Sequence, residues 1–577
     1  MAVNKKIFPY LTAAILLVLP FLAMPLAFCR FTGRPFPLYG LVTMVTLPVI
    51  ALFCAGMLLF FPERLKQLLS DRKLWPLAAS GILLTAVAGY QTLTGMITAE
   101  GFLTVMFYLL TPMAGAIAAE ELKKLLPVFA PAAAGILIYS GVMSEKFTGL
   151  TGNWNWTQGA VVALLPGILL LRKKWYDSPA KWKYALIFPG IFLLLFAIFF
   201  PDGVSRSALT AAVLTAGMIF TGHRLTSPRS RNILILAFLA VAAVVFAVAG
   251  FAGDSGETRI HIWRGAAGVI GEYFLTGCGQ FSEYIRMYLP EAYFFSSFPA
   301  PHIDHAHNDL LNIFAENGIA GAIFYITAIW TILRRQVHSG PEIFCRWIFL
   351  TLLICGWFDQ HNITVLCGTL LTLSAGIQLA SGRHPEESVC RWRPAAIPLG
   401  AAAIIYAFFM MAVNLSSGSF IRRGDLQLFR GDIAGAVRLY NDSIREKPTV
   451  HALYQLAELS LVTQRPDRTF HYLEKLESDC ARRCYRHTQR LKGVAAMMTG
   501  NFTVAAEAMT KELKNAPFSI INARWNYLLL CSIGTAPQTR NAAWEHLRYL
   551  CSLRGITPEA AATLSPAVDD GAFPVNP

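Results

Sequence analysis

Long apolar runs separated by short polar stretches dominate the first 413 residues. Runs of this kind begin near Ile7, Leu38, Leu74, Gly101, Leu125, Gly159, Tyr184, Ala208, Asn232, Leu310, Trp347, Ile363 and Ala396. A stretch of about 20 apolar residues crosses a bilayer as a helix. In lipid only a helix or a closed barrel satisfies the backbone. The pattern therefore predicts an all-α, polytopic transmembrane helix bundle of about thirteen spans; the segments near Gly159, Ala208 and Trp347 are the shortest. Lys5 and Lys6 precede the first run, Ile7 to Cys29, and no small-residue cleavage site follows it, which predicts a retained first helix rather than a removed signal peptide.

Past Ser416 the pattern changes to polar and helical. Gly431-Asp432 is followed seventeen residues on by Pro448, and Gly500-Asn501 seventeen residues on by Pro517. The two pairs are 69 residues apart, about two periods of 34 to 35, and Arg465-Pro466-Asp467 falls at the turn between them. That period resembles tetratricopeptide repeats. Ala436 and Ala505 would let paired helices approach, and the prolines would end each second helix. Such units bury a core only by stacking. The tail is either a docking surface for a protein partner or acceptor, or a folded cover packed on the preceding loop. The expected organisation is a membrane domain over 1–413 containing one large polar loop at 252–309, a helical-repeat domain over 414–555, and a flexible tail over 556–577.

Composition agrees with lipid as the main solvent. Of 577 residues, 55% are hydrophobic and 15% charged, against about 25% charged in soluble domains. The net charge of +14 sits in short loops between apolar runs, and no phosphate loop, zinc-finger spacing or RNA-binding signature accompanies it, so nucleic acid is not the expected partner. Orientation follows from Lys and Arg. With the N-terminus inside, the inner loops (1–6, 62–73, 119–124, 172–183, 223–231, 334–346, 381–395) hold 22 of them, and the short outer loops hold 4. The loop 252–309 and the tail then lie outside. Eleven cysteines are scattered, mostly in apolar runs; Cys480 and Cys484, in the polar tail, are the candidate pair for a disulfide in an oxidising compartment.

The chemistry concentrates in the outer loop: Arg259-Ile-His261-Ile-Trp263-Arg264, Gly277-Cys278-Gly279, Tyr284-Ile-Arg286, then His302-Ile-Asp304-His305-Ala-His307-Asn308-Asp309 running into Glu316-Asn317-Gly318. Arg206, in Ser205-Arg206-Ser207, sits at the outer end of another span. Planar guanidinium forks match diphosphate oxygens. A histidine with a near-neutral pKa is the usual base for deprotonating an attacking hydroxyl. The two together suit transfer of a group from a diphosphate-linked donor. Arginine also snorkels at lipid interfaces without any catalytic role. Imidazoles beside Asp304 invite a metal reading as well, but H-x-D-H-x-H is not the familiar hydrolase order H-x-H-x-D-H. A transporter would show ionisable residues mid-span, and few are seen. A scaffold whose work is done by the tail would not depend on His307.

The run His305-Ala-His307-Asn308-Asp-Leu-Leu, followed by Glu316-Asn-Gly318-Ile-Ala-Gly321, resembles the signature of the O-antigen ligase and polymerase superfamily. Arg259-Ile-His-Ile-Trp263, Gly277-Cys-Gly279 and Ser205-Arg206-Ser207 fit the same pattern, so the specific resemblance spans 203–321. It implies a metal-independent, inverting glycosyltransferase without cofactor. The enzyme would take a glycan from undecaprenyl diphosphate on the periplasmic side of a bacterial inner membrane. The acceptor would be lipid A core, another lipid-linked glycan, or protein. By the same resemblance His307 beside Asn308 is the base or acceptor-orienting residue, with His305 its partner or substitute. Arg206 and Arg259 bind the diphosphate, Arg264 and Arg286 are further candidates, and Asp359 matches an acidic position of some members. The repeat-bearing tail departs from the simplest ligases.

Overall fold

The computed structural model describes residues 38–142, 154–171, 187–199, 204–222, 254–294, 305–358, 365–381, 396–480 and 487–553, and a few isolated positions besides. Every regular element among them is helical. The expected spans near Ile7 and Asn232 fall largely outside these residues, as do His302, Asp304, Asp359, Cys484 and most of 556–577.

The membrane part begins with α1 (Leu38–Phe60), α2 (Pro62–Leu69), α3 (Trp75–Leu93), α4 (Ala99–Ile117) and α5 (Ala119–Val142). It continues with α6 (Trp154–Leu164), α7 (Ile187–Phe199) and α8 (Arg206–Gly222). After the loop helix α9 (Asp254–Glu272) come α10 (Asp309–Arg334), α11 (Gly340–Phe358), α12 (Val365–Leu379) and α13 (Ala396–Phe429). Among the described residues four helical stretches are long and apolar enough to cross a membrane, Arg72–Leu93, Ala119–Val142, Asp309–Arg334 and Gly340–Phe358, and six shorter apolar helices accompany them. The chain is a multi-pass membrane protein. Helix α11 is its centre, with every residue buried except Arg346 and Trp357.

Arg346 and Trp357 mark opposite ends of the bundle. At one end Arg346 donates to the carbonyls of Ile332 and Arg335, closing the C-terminal end of α10 where a cation complements the helix dipole. Arg335–Asp71 (2.7 Å), Lys123–Glu342 (2.9 Å) and Arg64–Glu121 (3.5 Å) join loops at this same end. These are three of the loops that the Lys/Arg bias groups together. Two of their expected bounds move. Lys123 and Lys124 lie inside α5, which starts at Ala119 rather than near Leu125, and α11 starts at Gly340 rather than near Trp347. Charged side chains paired at a helix end let the helix begin before its apolar stretch does.

At the other end lies the loop 254–294, which is mostly helix. Its core of Ile262, Val269, Cys278, Phe281 and Ile285 extends to Ala306 and Ala315 of the following segment.

The tail comprises α14 (Ile433–Glu446), α15 (Val450–Val462), α16 (Pro466–Cys480), α17 (Thr488–Met498), α18 (Phe502–Asn515), α19 (Ile520–Ser532) and α20 (Pro537–Leu553), each packed on its neighbour in sequence. Gly431 and Gly500 take left-handed φ of 80° and 73°, which ends one helix. Asp432 and Asn501 then cap the next, accepting from the amides of Gly435 and Val504. Ala436 and Ala505 are fully buried. Pro448 and Pro517 follow α14 and α18, the second helices of the closely packed pairs α13–α14 and α17–α18, as the pattern predicts. The expected boundary at 413/414 falls inside α13, whose last turns enter the tail core through Ile421 and Leu428.

Candidate functional site

The start of α10 is written in Asn308. Asparagine is among the best N-caps, and its Oδ1 accepts from the Leu311 amide at 3.0 Å. Its Nδ2 donates to the Trp357 carbonyl at 3.1 Å, tying the cap to the last turn of α11. Two residues earlier both backbone polar atoms of Ala306 are held: its amide donates to Asn312 Oδ1 (3.1 Å), and its carbonyl accepts from Trp263 Nε1 of α9 (3.0 Å). His307 lies between these fastened neighbours with φ of +51°, in the left-handed region that costs a side chain of this size about 1–3 kcal/mol. Its ring meets that of His305 edge-on, centroids 4.5 Å apart. Both imidazoles are half-buried. A strained histidine locked from both sides is pre-oriented.

The Gly277-Cys278-Gly279 and Glu316-Asn317-Gly318 motifs are partners. Helix α10 breaks at Gly318 (φ 61°, ψ −160°), a region open essentially to glycine alone. The break frees the carbonyls of Ala315 and Glu316, which accept from the amides of Cys278 (2.8 Å) and Gly279 (2.9 Å). The Ile319 amide donates back to the Phe274 carbonyl at 2.8 Å. Gln91, a buried amide in α3, clamps both sides, donating to the carbonyls of Thr276 (2.7 Å) and Glu316 (2.6 Å). Cys278 is buried, and burial first, then the Glu316 charge, pushes its thiol well above the usual range. It is a packing residue, not a nucleophile.

Arg206 opens α8 and is exposed. Its turn is fixed by Ser205, whose amide donates to Gln158 Oε1 (2.9 Å) and whose hydroxyl pairs with that of Ser207 (2.9 Å). Cys355 Sγ donates to the Ser207 carbonyl at 3.8 Å. Cys355 and Trp357 are two residues apart, so the arginine-bearing turn and the histidine-bearing turn are fastened to the same end of α11. Arg259 sits one helical turn before Trp263 and is half-buried. Arg264 is exposed and lies roughly 140° around α9 from Arg259, at 3.6 residues per turn. His261 is buried, its Nε2 3.8 Å from Glu257 Oε1, and neither ring nitrogen has a hydrogen-bond partner among the described residues. Arg286, in the short turn Ile285–Tyr288, faces the tail, where its charge acts on Glu512.

The structure thus gathers His305, His307 and Asn308 in one turn, and joins the turns that bear Arg206 and Arg259 to it through α11 and Trp263. Arg264 is exposed on another face of α9, and Arg286 lies on the turn packed against the tail. Sequence reasoning gave no role to Asn312, Trp357 and Gln91. Two of these had a signal: Asn312 is one turn after Asn308, and Gln91 is a lone amide near the end of an apolar run. Among the described residues no group of three or more His, Cys, Asp or Glu is arranged to hold a metal, and His302 and Asp304 lie outside them.

Residues 190–326 match the protein-family profile described as O-antigen ligase. The match covers most of α7, all of α8 and α9, both glycine motifs, the histidine turn and the kink of α10, and ends before the tail. It bears out the resemblance carried by residues 203–321. No curated protein matches the chain.

Proposed function

We propose that this membrane glycosyltransferase of the O-antigen ligase superfamily moves a glycan from undecaprenyl diphosphate to an acceptor hydroxyl on the periplasmic face of a bacterial inner membrane. The observation that carries the reading is the locked turn Ala306-His307-Asn308, an imidazole held in a strained conformation beside guanidinium-bearing elements. The acceptor oxygen attacks the anomeric carbon of the donor sugar as the carbon–oxygen bond to the diphosphate breaks. The hydroxyl proton passes to His307, with His305 packed against it. The leaving diphosphate carries the electron pair away, and Arg206 and Arg259 stabilise its charge. Attack opposite the leaving group inverts the anomeric centre. In this reading the guanidinium groups supply the positive charge, so no metal and no cofactor take part.

The Lys/Arg bias supports the placement of the site and tail outside. The tail's successive helix pairs, with glycine ends and Asp or Asn caps, support a tetratricopeptide-like reading. Deleting the gene and analysing the envelope names the acceptor. Loss of long glycan from lipopolysaccharide indicates lipid A core. Accumulation of single unpolymerised repeats indicates another lipid-linked glycan, and bare glycoproteins indicate Ser or Thr of a protein. An envelope unchanged in all three respects would overturn the proposal.

A further inference from the structure

The tail is packed into the loop. Helix α18 lies against the turn Ile285–Tyr288. Phe518, just after α18, packs at once on the loop core around Ile285 and on the tail core of Ile520 and Leu547. Tyr549 Oη donates to Glu291 Oε1 of the loop at 2.9 Å.

Within this junction sits a buried carboxylate. Glu512 Oε1 meets His487 Nδ1 at 2.9 Å and accepts from Asn522 Nδ2 at 3.3 Å. Arg490, fully buried, donates to Asn522 Oδ1 at 3.1 Å. The other carboxylate oxygen, Glu512 Oε2, is buried with no hydrogen bond among the described residues, and so is Arg286 Nη1 on the facing turn. A buried charge is tolerated when an opposite charge compensates it. Burial raises the Glu512 pKa, but the hydrogen bond and charge of His487, then the charges of Arg490 and Arg286, outweigh it and hold the carboxyl below its usual range.

The turn that carries Arg286 supports α9 without slack. A Cβ on Gly265 would come within 2.7 Å of Ile285 Cδ1, and one on Gly268 within 2.7 Å of Tyr288 Cδ1. Arg259 and Trp263 lie earlier on the same helix, and Trp263 holds the Ala306 carbonyl beside His307.

We propose that Glu512 is a positioning residue for glycan transfer: with its charge facing Arg286 across the packed junction of α18 and the Ile285–Tyr288 turn, it steadies the turn on which α9 rests, and thereby places Arg259 and Trp263 relative to His307. This rests on the functional reading above and assigns the tail to the working site rather than to docking alone.

The test uses the full chain in detergent and in cells. Glu512→Gln keeps size and removes charge. Amides of α9 should exchange with deuterium about tenfold faster in this variant, while those of α14 and α15 stay protected. Transfer from the cell's own donor should fall about tenfold in cells lacking the native gene. Arg286→Gln, which leaves the His487–Glu512 contact in place, covers the case in which Glu512→Gln does not fold, and should loosen α9 in the same way. The double variant should be no worse than either single one. Unchanged α9 exchange in Arg286→Gln, additive losses in the double variant, or wild-type transfer from a loosened α9 would each overturn the proposal. The exchange readout needs no substrate, so it stands even if His307→Ala retains transfer and the glycan-transfer reading fails.

Discussion

Gly318 and Gly277 meet backbone to backbone. A Cβ on Gly318 would lie 2.7 Å from the Gly277 nitrogen and 2.4 Å from the Leu275 carbonyl oxygen, and a Cβ on Gly277 would lie 2.2 Å from the Glu316 carbonyl oxygen. Two motifs separated along the chain are therefore one structural device. It lets the loop donate amides to the broken turn of α10 and sets the direction in which that helix leaves the histidine turn.

Gly318→Ala should destabilise the protein by about 3 kcal/mol, combining left-handed strain with an overpacked contact. Thermal unfolding in detergent reads this as a lowered Tm. An unshifted Tm would mean that the glycine pair has room to relax. Gly431→Ala, which has a similar φ of 80° but nothing within 4 Å, should cost only the conformational part.

His307→Ala should lower glycan transfer by about 10²–10⁴-fold, the usual contribution of a general base, while the protein still accumulates in the membrane. His307→Asn should fold well, because asparagine tolerates positive φ, and be equally inactive. Transfer by purified His307→Ala at the wild-type rate would remove the proposed base.

Arg259→Lys should be nearly as damaging to transfer as Arg259→Ala, since a point charge cannot copy a bidentate fork. Donor titration is the measurement: the loss should appear as weaker dependence on donor rather than on acceptor. A fully active lysine variant would reduce Arg259 to a headgroup contact.

Asn308→Ala removes the cap of α10 and the hydrogen bond to Trp357, and should cost about 1–2 kcal/mol for the cap alone. Asn308→Asp keeps the cap oxygen but loses the amide donor, so it should recover part of the stability. Equal unfolding midpoints for the two variants would argue that the cap oxygen contributes nothing.

Stability of the tail should fall in acid. The Glu512 carboxyl is depressed from its ordinary 4.5, so its contribution is present above that value and is lost as pH falls through the lower native one. Hydrogen exchange of α18 at decreasing pH, corrected for intrinsic rates, should show wild type loosening below about pH 4.5 and Glu512→Gln already loosened and flat. Parallel profiles would show that the carboxylate is not the titrating group.

Periodicity carries long-range information only where the repeat is local. The spans, the glycine and cap residues of the tail and the histidine turn were legible because Asn308 caps its own helix and Gly431 precedes its own Asp432. The pairing of Cys278 with Ala315 was not, since backbone hydrogen bonds between distant segments leave no periodic trace. The setting of Arg286 was illegible for the same reason: an arginine in a polar loop looks the same in the sequence whatever segment from the far end of the chain packs on its turn. Lys123 and Lys124 read as loop because charge usually marks a span's limit, whereas Lys123 pairs with Glu120 and Glu342 and lets the helix run past it.

Helix α13 runs unbroken for 34 residues, about 51 Å at 1.5 Å per residue, against about 30 Å of hydrocarbon. The tail is therefore mounted on a stiff mast rather than on a tether. Its height above the lipid and its heading are fixed by how that mast leans, and a force applied to α14 is felt by turns embedded in the bilayer.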